Sequence, residues 1–254
     1  MTRWTAILLA GSRPGVVRFA ARYGAGMKAL IPIAGEPMVL RPLRALLASR
    51  RVETVRILTQ DPEKLAPVLP DRQGWSVEPS AGTIAETLEA YGHAGQPRWP
   101  LLVTTPDHAL LDAAMIDQFC GEAEGADLAI GVVTRSALMK RLPHSRRTWI
   151  GFRHGQYTGA NLFAFGSAKG LKAVALWRSV EQDRKKGWRL LLALGWPGLL
   201  GLLRLRTLDR TMDAMGRRLG LTLRAVRLAD PRAGVDVDKP QDYELVSAIL
   251  EQRR

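Results

Sequence analysis

Apolar runs of strand length alternate with stretches of helical spacing over the first two-thirds of the chain. The runs "TAILLA" (5–10), "TVRILT" (54–59), "PLLVTT" (100–105) and "DLAIGVVT" (127–134) predict buried strands. Between them, "PMVLRPLRALLAS" (37–49), "GTIAETLEAYG" (82–92) and "LLDAAMIDQFCGEAE" (110–124) place apolar residues at the helical period. This β-α-β-α rhythm predicts an α/β fold, a mainly parallel sheet covered by helices, with ligands bound beyond the C-terminal ends of the strands. From about 168 to 222 the chain reads as helical. A strand, "LTLRAVRLA" (221–229), and a closing helix, "PQDYELVSAILEQ" (240–252), follow. Residues 1–254 are read as a single domain, with 168–222 a helical, basic and apolar elaboration within it.

Charge changes this picture in one place. The net charge is +13, but residues 1–134 carry 13 basic and 14 acidic side chains, whereas 135–232 carry 21 and 5. That stretch either meets a polyanion or simply has arginine-rich, solvated helices. Inside it, "RKKGWRLLLALGWPGLLGLLRLR" (184–206) contains 14 residues without charge, from Leu190 to Leu203. A spanning helix needs about 20. With Trp188 and Trp196 and flanking Lys and Arg, the segment suits a hairpin lying on an anionic membrane surface, or else a buried helical layer or oligomer contact. No secretory signal precedes the first strand and Cys120 is the only cysteine, so the expectation is a cytoplasmic protein, peripheral at the inner face of a membrane if the hairpin meets lipid.

Candidate chemistry gathers at strand ends. Ala10, Gly11, Ser12, Arg13 and Gly15 follow the first strand, and Lys28 comes soon after. The loop matches neither standard phosphate-loop spacing, so it is either a tight turn or a cradle in which backbone N–H groups meet phosphate oxygens and Arg13 and Lys28 supply charge. "TTPDHALL" delivers Asp107 to a strand end, as a Mg²⁺ ligand or as the cap of the next helix. Asp236 and Asp238, two apart in an extended stretch, project to one side. They need a cation, with Lys239 partly neutralising them, or they simply precede the last helix. "EPSAGTIAE" places Ser80, Gly82 and Thr83 before a helix, Thr83 and Glu86 forming a capping box, with Gly82 open to a nucleobase. Gly159 and Asn161 lie in a Gly-Ala-Asn turn that either forms the bend or faces an acceptor. The four histidines lack metal-ligand spacing, and no serine-hydrolase motif occurs, which excludes zinc, thiol and serine-hydrolase chemistry.

In order, "LLAGSRPG", "KALIPIAGEPM", "PSAGT", "TTPDHALL", "TGANLFAF" and "VDVDKPQDYELV" resemble the nucleotidyltransferase family that includes molybdenum-cofactor guanylyltransferase. The resemblance implies a Rossmann-like sheet with helices on both faces, of the nucleotide-diphospho-sugar transferase type. It also implies a Mg²⁺-dependent transfer of a nucleoside monophosphate from a nucleoside triphosphate to a phosphorylated small alcohol or sugar, with release of pyrophosphate. It places the phosphate loop on Gly11 to Gly15 with Arg13 as its basic position, the signature lysine on Lys28, and metal ligands on Asp107 and Asp236, with Asp238 beside them. An insert, "VVRFAARYGAGM", lengthens the path from the loop to Lys28. The membrane-like segment favours CTP and a lipid headgroup precursor as substrates, and no nucleic-acid partner is expected. The competing readings are a nucleotide-sugar glycosyltransferase on the same scaffold and a non-catalytic module binding membrane or nucleic acid.

Overall fold

A computed structural model of the chain describes residues 1–11, 16–71, 73–80, 84–93, 98–174, 198, 200–201 and 203–252, and the structural statements below concern these. The elements in order are β1 (Trp4–Leu9), α1 (Val16–Ala21), a 3-10 turn (Lys28–Leu30), the small hairpin β2 (Pro32–Ile33) and β3 (Glu36–Pro37), α2 (Leu40–Ala48), β4 (Val52–Thr59), α3 (Pro62–Leu65) and β5 (Trp75–Pro79). Then come α4 (Ile84–His93), β6 (Leu101–Thr104), α5 (Ala113–Ala123), β7 (Leu128–Thr134), α6 (Arg135–Arg141), β8 (Ile150–Phe152), β9 (Gly155–Phe165), α7 (Leu208–Leu219), β10 (Leu223–Arg227) and α8 (Pro240–Glu251).

The main sheet runs β10-β7-β9-β6-β1-β4-β5, with β8 added to β9. Every pair along it is parallel except those made by β9, which lies antiparallel between β6 and β7. Central β1 is buried at all six positions, the consequence of helices on both faces. Alternate residues serve two cores. Ala6, Leu8, Leu102, Ala160 and Leu162 pack with Leu43 of α2, Phe119 of α5 and Val246 of α8 on one face. Ile7, Leu9 and Val103 meet Leu88 of α4 on the other, and Val132 meets Leu208 and Met212 of α7. No described helix is long and apolar enough to cross a membrane.

Three local readings change. "WSVEP" forms β5, a strand the hydrophobic pattern does not announce because all of its positions are only partly buried or exposed. Asp107 is not the cap of α5. Asp112 is, accepting from the Met115 N–H at 3.0 Å. The Gly-Ala-Asn stretch is no turn but lies within β9, where the register against β7 shifts between Ile130 and Val132. Asn161 takes φ 47 there, so the bulge turns its side chain toward the strand ends. Asp236 and Asp238 stand outside any strand, in the chain that follows a 3-10 turn (Pro231–Gly234).

Cys120 is fully buried on α5, and burial pushes its thiol pKa far up. The native protein should therefore resist a thiol-specific reagent and titrate one thiol only after unfolding in denaturant, as a colorimetric thiol assay would measure. Rapid labelling without denaturant would contradict this packing.

Candidate active site

The sheet aligns its strand ends along one edge. Ala10 and Gly11 follow β1, and the Ala10 N–H donates to the Leu58 carbonyl at 2.8 Å. Ser80 follows β5, its N–H on the Thr59 carbonyl at 2.9 Å. Asp107 follows β6, next to β1 on the opposite side. Ala10, Gly11 and Ser80 thus lie on one side of Asp107, and β9, with Gly159 and Asn161, on the other. Ser12, Arg13, Gly15, Gly82 and Thr83 lie outside the described residues.

Lys28 occupies the centre. The 3-10 turn that carries it is fixed by the buried Met27 and Ala29 and by the Val39 N–H donating to the Ala29 carbonyl at 2.9 Å. From there its ammonium reaches Asp107 Oδ2 and Asp238 Oδ1, each at 2.5 Å. Thr105 Oγ1 donates to the other Asp107 oxygen, also at 2.5 Å. Burial disfavours the charge on both members of the Lys28–Asp107 pair. Their mutual attraction and hydrogen bonds prevail, so the lysine pKa lies above its ordinary value and that of Asp107 below.

A second network holds the C-terminal carboxylates. Arg147, 7% exposed, donates from its two Nη atoms to the carboxylates of Asp236 and Asp242 and from Nη2 to the Asp236 carbonyl at 3.1 Å. Asp242 in turn accepts from the N–H groups of Asp238 and Lys239 at 3.2 and 3.0 Å, which caps α8. Asn161 Nδ2 donates to Asp236 Oδ2 at 3.0 Å. A backbone bond from the Val237 N–H to the Asp107 carbonyl, 3.0 Å, ties the two acidic segments together. The cations that meet Asp236 and Asp238 are therefore Arg147 and Lys28, not Lys239. His108, beside Asp107 and the Ala233 backbone, is fully buried, and burial pushes its pKa down to about 4, so it is neutral.

The carboxylates remain crowded. Burial, followed by repulsion from Asp107 and Asp238, raises the Asp236 pKa to about 6 despite Arg147 and Lys28. Uncompensated negative charge on hard oxygen donors suits Mg²⁺, which takes one or two protein carboxylates and fills its shell with water and substrate phosphates. Among the described residues no group of three His, Cys, Asp or Glu side chains is spaced to hold a metal alone. The residues fit that open kind of Mg²⁺ site rather than a closed protein cage.

Sequence reasoning missed Arg147, Thr105 and Asp242. Thr105 stood in the strand-end motif and Asp242 in the last helix. Arg147 had no signal beyond one basic residue among many.

A family model described as the MobA-like NTP transferase domain matches residues 6–191. The chain belongs to this family of nucleotidyltransferases. Among solved structures, the transferase is similar to a hypothetical transferase from Thermus thermophilus, 31% identical over 95% of this chain and 100% of that one, with a TM-score of 0.79. A CMP:2-keto-3-deoxy-manno-octonic acid synthetase complexed with CTP shares 13% identity at full coverage of both chains, TM-score 0.63. A 4-diphosphocytidyl-2C-methyl-D-erythritol synthase from Anaerococcus prevotii shares 9% over 98% of this chain and 99% of that one, TM-score 0.60. At such identities these last two establish the shared fold of the transferase. A comparison with curated proteins gave no match.

Proposed function

We propose that the transferase moves CMP from CTP to the phosphate of a small alcohol or sugar, releasing pyrophosphate. One observation supports this reading: Lys28 is held between Asp107 and Asp238, between the strand ends of β1 and β9, from which a triphosphate and an acceptor would enter. In this reading Ala10, Gly11, Ser12, Arg13, Gly15, Ser80, Gly82 and Thr83 receive the nucleotide, and Lys28 and Arg13 offset phosphate charge. Of the three carboxylates Asp107, Asp236 and Asp238, one or two at a time would hold Mg²⁺, which when bound supplies charge stabilisation to the phosphates. Gly159 and Asn161 face the acceptor.

An acceptor phosphate oxygen attacks the α-phosphorus, the bond to the bridging oxygen of the β-phosphate breaks, and the electron pair leaves with pyrophosphate. The attacking oxygen is already ionised at neutral pH, so no side chain has to remove a proton. The protein's part is to position the two anions and lower their repulsion. CTP is favoured because two of the solved relatives are named for CTP or a cytidylyl product. Pyrophosphate release, screened over the four triphosphates against phosphorylated polyols and sugars, tests the reading. Turnover with CTP and one acceptor class is expected, and turnover with GTP alone would overturn the choice of base.

The reading extends to an anionic membrane surface. Most of 184–206 lies outside the described residues, but Leu203 and Leu205 are each 59% exposed and flanked by Arg204 and Arg206, with exposed Ile150 on nearby β8. The Arg206 carbonyl accepts from the Arg153 N–H at 2.9 Å, which joins this turn to the β8–β9 hairpin. Apolar side chains among arginines suit an acidic leaflet, each basic residue near it contributing about 1 kcal/mol. Vesicles containing phosphatidylserine should sediment the protein at low salt and neutral vesicles should not. Leu203→Ser/Leu205→Ser should weaken sedimentation, and equal behaviour on both vesicle types would remove the membrane from the proposal.

A further inference from the structure

Beyond the C-terminal end of β7, a cavity of about 660 Å³ opens between the start of α6, the β8–β9 hairpin and the turn at Arg204. Arg135, His154 and Arg204 line it, together with Met139, Phe152 and Tyr157. None of these residues belongs to the carboxylate site. Among the described residues, none of the three basic side chains pairs with a carboxylate. Arg135 donates to Gln156 Oε1 at 2.7 Å and lies 6.0 Å from the centre of the Trp149 ring. The Arg204 guanidinium rests against Gly151, where an added Cβ would meet its Nε at 2.6 Å. The contrast is Arg227, which also lies near Tyr157 but is neutralised by Asp209 at 2.8 Å. His154 and Arg204 hold φ of 72° and 58°, a strained region for residues other than glycine, and both face this one cavity.

β9 links the cavity to the carboxylates. Thr158, Ala160 and Leu162 are buried, the last two in the core with α2, α5 and α8, and the intervening Tyr157, Gly159 and Asn161 share the opposite face, where Tyr157 borders the cluster of α7. Asn161 touches Asp236, Tyr157 lines the cavity, and a Cβ at Gly159 would meet nothing within 4 Å. The result is an open shelf on the order of 10 Å long, four strand residues shortened by the bulge.

We propose that this cavity is a second anion site, which binds the far end of the acceptor. On this view the acceptor is a phosphorylated chain of sugar-acid or polyol size. One end reacts beside Asp236, and the other carries a carboxylate or second phosphate that meets Arg135, Arg204 and His154. Arginine forks match either group in bidentate fashion, and the carbon chain between lies over Gly159 and against the Tyr157 ring. With a neutral far end, Arg135 and Arg204 would have no carboxylate or other anion to meet among the described residues. The proposal rests on the transferase reading, since the reacting end is placed by it.

Three probes of equal carbon number test it on the full chain by calorimetry: glucitol 6-phosphate, with a neutral end, 6-phosphogluconate, with a carboxylate, and glucitol 1,6-bisphosphate. At least one of the probes with an anion at each end should bind about ten-fold more tightly than the neutral-ended one, and which of them does separates carboxylate from phosphate. Arg135→Gln/Arg204→Gln should erase the preference. Equal binding of all three, no binding of any, or a preference that survives in the double variant would overturn the proposal. The wild-type comparison stands whether or not the variant folds. The CTP-induced thermal shift and pyrophosphate release are measured separately. A protein that prefers the probes with an anion at each end but never releases pyrophosphate would keep the anion site and lose the reaction.

Discussion

Asp107→Asn should lower the rate of pyrophosphate release by on the order of a thousandfold while leaving circular dichroism unchanged. Asparagine keeps the shape of the side chain and its place at the end of β6, and it can still accept from Thr105. What it loses is the negative charge that Lys28 approaches at 2.5 Å. The ammonium then keeps only Asp238, which is 56% exposed, and on the proposed reading it would lose the position that faces the α-phosphate. The same reading takes a hard Mg²⁺ ligand away with it. Asp238→Asn, at the more exposed member, should cost less. Steady-state assays at saturating CTP decide the matter: a folded Asp107→Asn protein that turns over at nearly the wild-type rate removes this site from consideration.

The largest effect on stability should come from Arg147→Met. The arginine is almost wholly enclosed and satisfies two carboxylates, of which Asp242 also caps α8. Removing it leaves two enclosed carboxylates without their cation, a change that costs about 3–5 kcal/mol in comparable cases. For a chain of this length that corresponds to a fall in Tm of roughly 10 °C. Adding Asp242→Asn to Arg147→Met removes one of the stranded charges, so the double variant should recover part of the loss. Equal melting temperatures for single and double variants would show that packing, not charge, explains Arg147.

Which parts of this arrangement are legible in the sequence follows from how local each signal is. β1, β4, β6 and β7 are read because a strand covered on both faces must be apolar over most of its length, and α5 and α8 because one face of each meets the sheet. Asp107 is found because a strand end is a place that sequence identifies. Arg147 is invisible for the opposite reason. Its partners are 89 and 95 residues away, and it lies in irregular chain within the most basic part of the molecule. Asn161 reads with Gly159 as part of a turn, since Gly-Ala-Asn looks the same in a bend and in a bulge. Only the pairing of β9 with β7 distinguishes them. β5 escapes the pattern because a half-exposed strand at the sheet edge needs no apolar run.

The contact between Lys28 and Asp238 spans 210 residues of chain. On the ribosome, the lysine and Asp107 emerge well before the segment that carries Asp236, Asp238 and Asp242. The sheet can pair β1, β4, β5 and β6 while the last acidic segment is still in the exit tunnel, so the scaffold precedes the chemistry it will carry. A nascent chain arrested before Val235 would leave the proposed site unfinished, its lysine able to meet Asp107 alone. In this molecule the proposed site closes only once the segment carrying Asp236, Asp238 and Asp242 has been made.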